Sequence, residues 1–209
     1  MADKAKYYRL ARNPKGFWGK RVIKAMNSEQ HAAMPQWALA QIQVNEDARV
    51  LDVGCGGGAN IARLLELCPK GTVTGLDISP LAIKIASKYN AAAIAAERCS
   101  FVGGNVVQLP IPRETFHLVT AFENNYYWLS QLLGLQNIYR VLKPGGTCDI
   151  ANEMDGISEK DRELEKAAGR MLIFTIDEIK DAMAEVGFTD IKSNHDEERH
   201  FIIVVGRKP

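Results

Sequence analysis

Between Val50 and Asn60 the chain reads VLDVGCGGGAN, a crowd of glycines closing an apolar run. Glycine lets the backbone turn tightly and lets a ligand approach peptide N–H groups with no Cβ in the way. The N-terminus of a following helix adds unpaired N–H groups and a partial positive charge. Asp77 ends the next β-rich run, where a carboxylate can accept bonds from both hydroxyls of a ribose. Gly54, Gly56 and Ala59 also satisfy the GxGxxG/A pattern of pyrophosphate binding. Loop and carboxylate together therefore leave open a dinucleotide or another adenosine-bearing cofactor. A second cluster runs from Phe122 to Trp128, FENNYYW. Glu123 can accept from an ammonium group or act as a general base. Tyr126, Tyr127 and Trp128 offer aromatic faces that hold a cation or shape an apolar pocket. His31 is the one histidine whose surroundings can reach a pocket; His117 and His200 read as structural and His195 as an exposed turn residue. No Ser/His/Asp or Cys/His constellation supports nucleophilic catalysis.

These residues need elements to carry them. Arg49 to Val53 reads as a buried strand and Ala59 to Cys68 as a helix. Thr72 to Leu76 is a second strand. Ser79-Pro80 starts a helix to about Arg98, with serine as the cap and proline at the first helical position. Ser100 to Gly103 and His117 to Phe122 are two further strands. A helix from about Leu129 to Leu142 stops at Lys143-Pro144-Gly145-Gly146, before a strand from Thr147 to Asn152. A charged helix covers Ser158 to about Arg170. Thr175 and Glu178 form a capping box for a helix ending at Gly187. Thr189 to Ser193 and His200 to Val205 close the chain as an antiparallel hairpin. Residues 1–16 read as irregular, and 17–43 as helical with a break near Pro35. Strands alternating with helices argue for an α/β sandwich with a mainly parallel sheet.

Three features tilt the choice of cofactor. About 48 residues precede the first strand; Asp52 lies inside that strand, two residues before the first glycine; and the terminal hairpin is foreign to a simple doubly wound dinucleotide domain. The chain resembles a class I S-adenosylmethionine-dependent methyltransferase of type 11 or 25, from about Ala48 to Arg207. The motifs, in order, are VLDVGCGGGANI, GLDIS (Gly75 to Ser79), GGNVVQLP (Gly103 to Pro110), FHLVTAF (Phe116 to Phe122), VLKPGG (Val141 to Gly146) and EVGFTDI (Glu185 to Ile191).

The resemblance implies a Rossmann-like, seven-stranded, mostly parallel α/β sheet with strand seven antiparallel and helices on both faces. It implies S-adenosylmethionine as cofactor and S-adenosylhomocysteine as product. Asp52, Gly54, Gly56 and Gly58 would wrap the methionine part, with backbone contacts from Cys55. Asp77 would take the ribose hydroxyls and Ile78 the adenine face. Asn105 would bond the adenine amino group and the Val106 N–H a ring nitrogen; the family more often has Asp at position 105, and Asn keeps an acceptor oxygen. Glu123 would meet the cofactor ammonium, and with Tyr126 is the candidate for catalysis. Trp18, Tyr126, Tyr127 and Trp128 would bind the acceptor, Trp18 from over the site. The implied partition is a basic arm and helical cap over 1–47 and a cofactor-binding domain over 48–209. The implied reaction is methyl transfer to a small molecule by in-line displacement, with RNA or protein methylation, or a non-catalytic cofactor-binding module, as alternatives. The Asn/Asp-Pro-Pro-aromatic motif of amino-group methyltransferases is missing, which weakens nucleobase methylation. A nicotinamide-dependent oxidoreductase would need a catalytic Tyr/Lys pair or a hydride-side histidine, and none can be placed.

Composition sets the outer bounds. The 209 residues carry 26 Lys and Arg against 25 Asp and Glu, too balanced for a large nucleic-acid footprint. The first 24 residues nevertheless hold eight basic side chains and one acid, +7, so the rest carries −6. Cys55, Cys68, Cys99 and Cys148 form no CxxC pair and no zinc-spaced cluster, so no metal is expected, which argues against metal-assisted catechol chemistry. Reduced thiols and the lack of a signal-like or membrane-spanning run lead to the expectation of a cytoplasmic protein, monomer or homodimer, with no membrane and no nucleic-acid partner.

Overall fold

A computed structural model describes residues 2–209. Seven strands, β1 (Arg49–Val53), β2 (Thr72–Asp77), β3 (Cys99–Gly103), β4 (Phe116–Phe122), β5 (Leu142–Asn152), β6 (Thr189–Asp196) and β7 (Phe201–Arg207), form one sheet in the order β3-β2-β1-β4-β5-β7-β6. Strands β1 to β5 pair in parallel; β7 runs antiparallel between β5 and β6. The sheet is the Rossmann-like one expected from the motifs, with the hairpin at one edge.

Both faces are covered, as a parallel sheet requires. Helices α7 (Gln131–Val141) and α9 (Ile176–Val186) bury Leu135, Ile138, Ile179 and Met183 against Leu51, Val119 and Ile150. On the other face, α3 (Ala33–Leu39) and α4 (Ala59–Leu67) bury Met34, Ala38, Ile61 and Leu64 against Val50, Val73 and Leu118. The order of strands reverses between β1 and β4, and the carboxyl ends on either side of such a switch point open the crevice where ligands bind.

The elements before β1 differ from expectation. Residues 1–16 were expected to be irregular; Ala2–Ala11 instead form α1, with Met1 outside the described residues. Its stripe is too short to read by periodicity, but Ala5 and Tyr8 bury with Leu164 and Ala168 of α8 (Glu159–Ala168). The next helix, α2 (Gly16–Met26), ends at Asn27, not near Pro35. A 3-10 turn over Glu29–Ala32 follows, and Pro35 falls in the first turn of α3, where its missing N–H costs nothing. The helix expected from Ser79 to Arg98 divides at Asn90 into α5 (Pro80–Tyr89) and α6 (Ala91–Ala95). The Asn90 amide donates to the Gly58 and Ala86 carbonyls, both at 3.0 Å, which ties the break to the glycine loop. Strand β5 starts five residues earlier than read, because Gly145 and Gly146 exchange backbone bonds with the distant Lys208. The Thr175–Glu178 capping box is present.

Candidate active site

The turn after β1 is built from both sides. Gly54 and Cys55 donate to the Leu76 carbonyl at 2.7 and 3.0 Å, fastening the loop to the end of β2. Asp77 then holds two turns at once. Its Oδ2 accepts from the Gly56 N–H at 3.0 Å and its Oδ1 from the Ser79 N–H at 2.8 Å. Each carboxylate oxygen keeps a second lone pair for a ligand hydroxyl. Burial raises the Asp77 carboxyl, and the backbone N–H groups pull it back. Gly58 caps α4 at φ +84°, and a Cβ there would stand 2.9 Å from the Ala86 methyl. Only glycine fits that conformation and that approach.

Above the carboxyl ends of the strands lies a cleft of about 1110 Å³, counted to its open mouth. Of the residues expected to bind cofactor, Gly54, Cys55, Gly56, Asp77, Ile78, Asn105, Val106 and Glu123 all line it. Tyr127 and Trp128, expected on the acceptor side, line it too. Asn105 Oδ1 already accepts from the Val107 N–H at 3.2 Å, which fixes the amide and leaves one lone pair. Trp128 is held by its indole N–H, which donates to Asn124 Oδ1 at 2.6 Å. The Cys55 thiol is buried and pushed well up by that burial, consistent with a role through its backbone.

Four expected residues do not line the cleft. Gly58 acts through packing, as above. Asp52 is buried in the sheet beneath, where Thr120 Oγ1 donates to it at 2.9 Å and desolvation lifts its carboxyl to about 7. Tyr126 is 1% exposed inside the small core under the N-terminal helices, its hydroxyl accepting from the Met154 N–H at 3.3 Å. Trp18 is 57% exposed on the outer face of α2, edge-on to Phe17 and near Arg21 and Lys6. It faces solvent because the inward positions of α2 go to Gly19, Val22 and Ile23.

Other residues close the cleft from above. Tyr7, Tyr8, Arg12 and Pro14 line it from α1 and the turn after it, Met26 and Asn27 from the end of α2, and His31 from the 3-10 turn. Two bonds lock this roof to the floor: Asn27 Nδ2 donates to the Gly57 carbonyl at 2.8 Å and Ser79 Oγ to the Pro14 carbonyl at 2.7 Å. Arg12 is the one lysine or arginine among the described lining residues. His31 sits with its Nε2 3.4 Å from the Tyr7 hydroxyl and its Nδ1 3.8 Å from Glu153. Neither Arg12 nor Glu153 belongs to a motif; the only signal was the basic arm as a whole.

A glycine turn at the switch point and a carboxylate at the next strand end thus face a cleft with aromatic walls. The family model for a methyltransferase domain matches residues 50–146. An uncharacterized methyltransferase, YdaC, of Bacillus subtilis is 26% identical over 147 residues, 69% of this chain and 77% of that protein. The matches indicate a class I S-adenosylmethionine-dependent methyltransferase. Among them, a sterol 24-C-methyltransferase of Neurospora crassa is 33% identical over 159 residues, 71% of this chain but 41% of its own length. The methyltransferase thus spans less than half of that relative. A chain from the complex of the Haloferax volcanii Trm112 methyltransferase activator with a methyltransferase shares the fold, with a TM-score of 0.77 at 23% identity over 90% of this chain and 92% of that one. No described helix is long and apolar enough to cross a membrane.

Proposed function

We propose that this enzyme binds S-adenosylmethionine across the cleft floor and moves its methyl group to a small molecule held under the roof. The observation that carries the reading is convergence: the glycine turn, Asp77, and the Asn105-Val106 pair come from three different strand ends and line one cleft. Asp77 takes the ribose hydroxyls with the lone pairs its backbone partners leave free. Asn105 and the Val106 N–H read the adenine edge, and Ile78 lies on its face. The Arg12 guanidinium takes the methionine carboxylate, the match of planar fork to carboxylate that arginine makes best.

The donor is a sulfonium ion. As an acceptor lone pair bonds to the methyl carbon, the carbon–sulfur bond breaks, its electron pair stays on sulfur and the charge there vanishes. Such a displacement gains most from alignment of the two reactants. Tyr127 and Trp128 wall the cleft beside Glu123 and provide faces for the cation. Glu123 is placed either for the donor's ammonium or for the acceptor. A small acceptor is favoured because the roof is tied to the floor over the cleft.

Calorimetric titration with S-adenosylmethionine, S-adenosylhomocysteine and NAD, beside Asp77→Ala, tests the cofactor. Tight binding of the first two, lost in the variant, is expected; binding of NAD alone would overturn the reading.

A further inference from the structure

Three chemically active side chains from positions far apart in the chain meet beside the cleft, His31 and Glu123 lining it and Glu153 next to them. His31 comes from the 3-10 turn before α3, Glu123 from the end of β4 and Glu153 from the end of β5. One ligating atom from each lies within 4.8 Å of the other two. His31 Nδ1 faces Glu153 at 3.8 Å. His31 Nε2 faces the Tyr7 hydroxyl at 3.4 Å, and the two rings stack with 12° between their planes. The backbone adopts a left-handed conformation at Glu123, φ +49°, unusual for a residue with a side chain.

Two carboxylates drawn together in a half-buried cleft repel, and each needs a counter-charge. Among the described residues no lysine or arginine forms an ion pair with either, and neither side chain accepts a hydrogen bond. Lys4 is the nearest cationic influence on Glu123, and burial with Glu153 outweighs it, so the carboxyl is pushed well up. One imidazole cannot balance two carboxylates. A doubly charged ion can. Imidazole with two carboxylates is a donor set for a divalent transition metal, and three protein ligands leave positions open for a substrate. The unligated imidazole nitrogen then needs a second partner to hold the ring, the place Tyr7 occupies.

We propose that His31, Glu123 and Glu153 bind a divalent transition-metal ion, and that the ion holds a hydroxyl-bearing methyl acceptor beside the donor. The second half rests on the methyl-transfer reading above. An amine carries a ready lone pair, whereas an alcohol, enol or phenol is a poor nucleophile until it loses its proton, and a metal lowers the cost of that loss. The hydroxyl proton leaves to solvent, the metal-held oxygen bonds to the methyl carbon, and the broken carbon–sulfur pair stays on sulfur. Glu123, given to the cofactor ammonium by family resemblance, then faces the acceptor instead.

The test uses the full chain and Co2+ as an optical probe. Wild type is expected to take up one Co2+ saturably in the micromolar range, with visible absorption bands that Zn2+ displaces. His31→Ala and Glu153→Gln are expected to weaken this at least tenfold, while Glu159→Gln on α8 leaves it unchanged. S-adenosylhomocysteine binding should persist in all of them, so its loss in wild type would count against the cofactor reading and not against the metal. No saturable Co2+ uptake, or uptake indifferent to His31→Ala and Glu153→Gln, overturns the metal site. If a hydroxylated acceptor turns over equally well after chelation, the acceptor half falls. Competition with Co2+ by small organic amines would instead make the trio an ammonium pocket.

Discussion

The floor and the roof of the cleft are made by different means. The floor is a row of turns at the carboxyl ends of parallel strands, and its contacts are short in sequence. Gly54, Cys55 and Gly56 reach Leu76 and Asp77 across one βα unit. The roof is assembled from α1, α2, the 3-10 turn and the segment after β5, with its own small core of Ala5, Tyr8, Tyr126, Met154 and Leu164. It rests on the floor through few polar ties. A sheet-borne floor suits a cofactor that never changes, and a separately packed roof can be altered without disturbing it.

The largest effect should come from the floor. Asp77→Ala removes a charged acceptor from two ligand hydroxyls and from the Gly56 and Ser79 N–H groups. At roughly 2 kcal/mol for each charge-assisted bond to the ligand, affinity for S-adenosylhomocysteine should fall by about three orders of magnitude. Calorimetry reads it, and Asp77→Asn, which keeps one acceptor oxygen, should lie between. Should Asp77→Ala bind within tenfold of wild type, the floor would not be the anchor.

Next is the dryness of the sheet under the floor. Asp52, Thr120 and Asp149 stand side by side on β1, β4 and β5, all buried. Neither oxygen of Asp149 has a partner within hydrogen-bond geometry among the described residues, and burial, opposed only by the neighbouring Thr147 hydroxyl, lifts its carboxyl to about 7. A carboxyl whose folded pKa is raised gives stability below its unfolded pKa near 4 and loses it as pH climbs to about 7. Asp149→Asn removes that slope. Between pH 5 and pH 8 the variant should gain roughly 2–3 kcal/mol relative to wild type, measured by urea unfolding. An unchanged gap would mean that water reaches the row.

The same contrast explains what could be read from residues alone. The succession of strands, the hairpin, the capping box and most of the floor were legible because glycine turns, β-rich runs and caps are local in the chain. Asn105 and Asp77 were legible for the same reason, Asp77 ending β2 and Asn105 following the end of β3. The roof was not. Tyr7 and Tyr8 belong to a helix whose short stripe has meaning only against α8, more than 150 residues later, and Arg12 to the turn after that helix. Glu153 looks like an ordinary polar residue until topology brings the ends of β4 and β5 beneath the 3-10 turn, whereas His31 was the one histidine expected near a pocket. Trp18 misled in the other direction: a large aromatic in a basic arm suggests a lid, but the register of α2 turns it outward.

A smaller effect separates the two halves within one ligand. Arg12→Ala should weaken S-adenosylhomocysteine by about tenfold, some 1.4 kcal/mol, in line with one exposed-side charge-assisted contact. Methylthioadenosine, which lacks the amino-acid carboxylate, should bind both proteins alike. Equal losses for the two ligands would show Arg12 to be a packing element of the roof rather than a carboxylate receiver.

The smallest effect is the sharpest on the roof's outer boundary. Trp18→Ala removes an indole whose neighbours are Phe17, Lys6 and Arg21, all outside the cleft. A surface change of this kind should stay within about 0.5 kcal/mol in stability and leave cofactor affinity within threefold. Deleting residues 1–15 should cost far more, since Tyr7, Tyr8, Arg12 and Pro14 go with them. If Trp18→Ala were instead to match that deletion, α2 would have to roll by nearly half a turn when the cofactor binds. That would bring Trp18 inward at the expense of Val22 and Ile23, and the roof would be a moving part rather than a packed one.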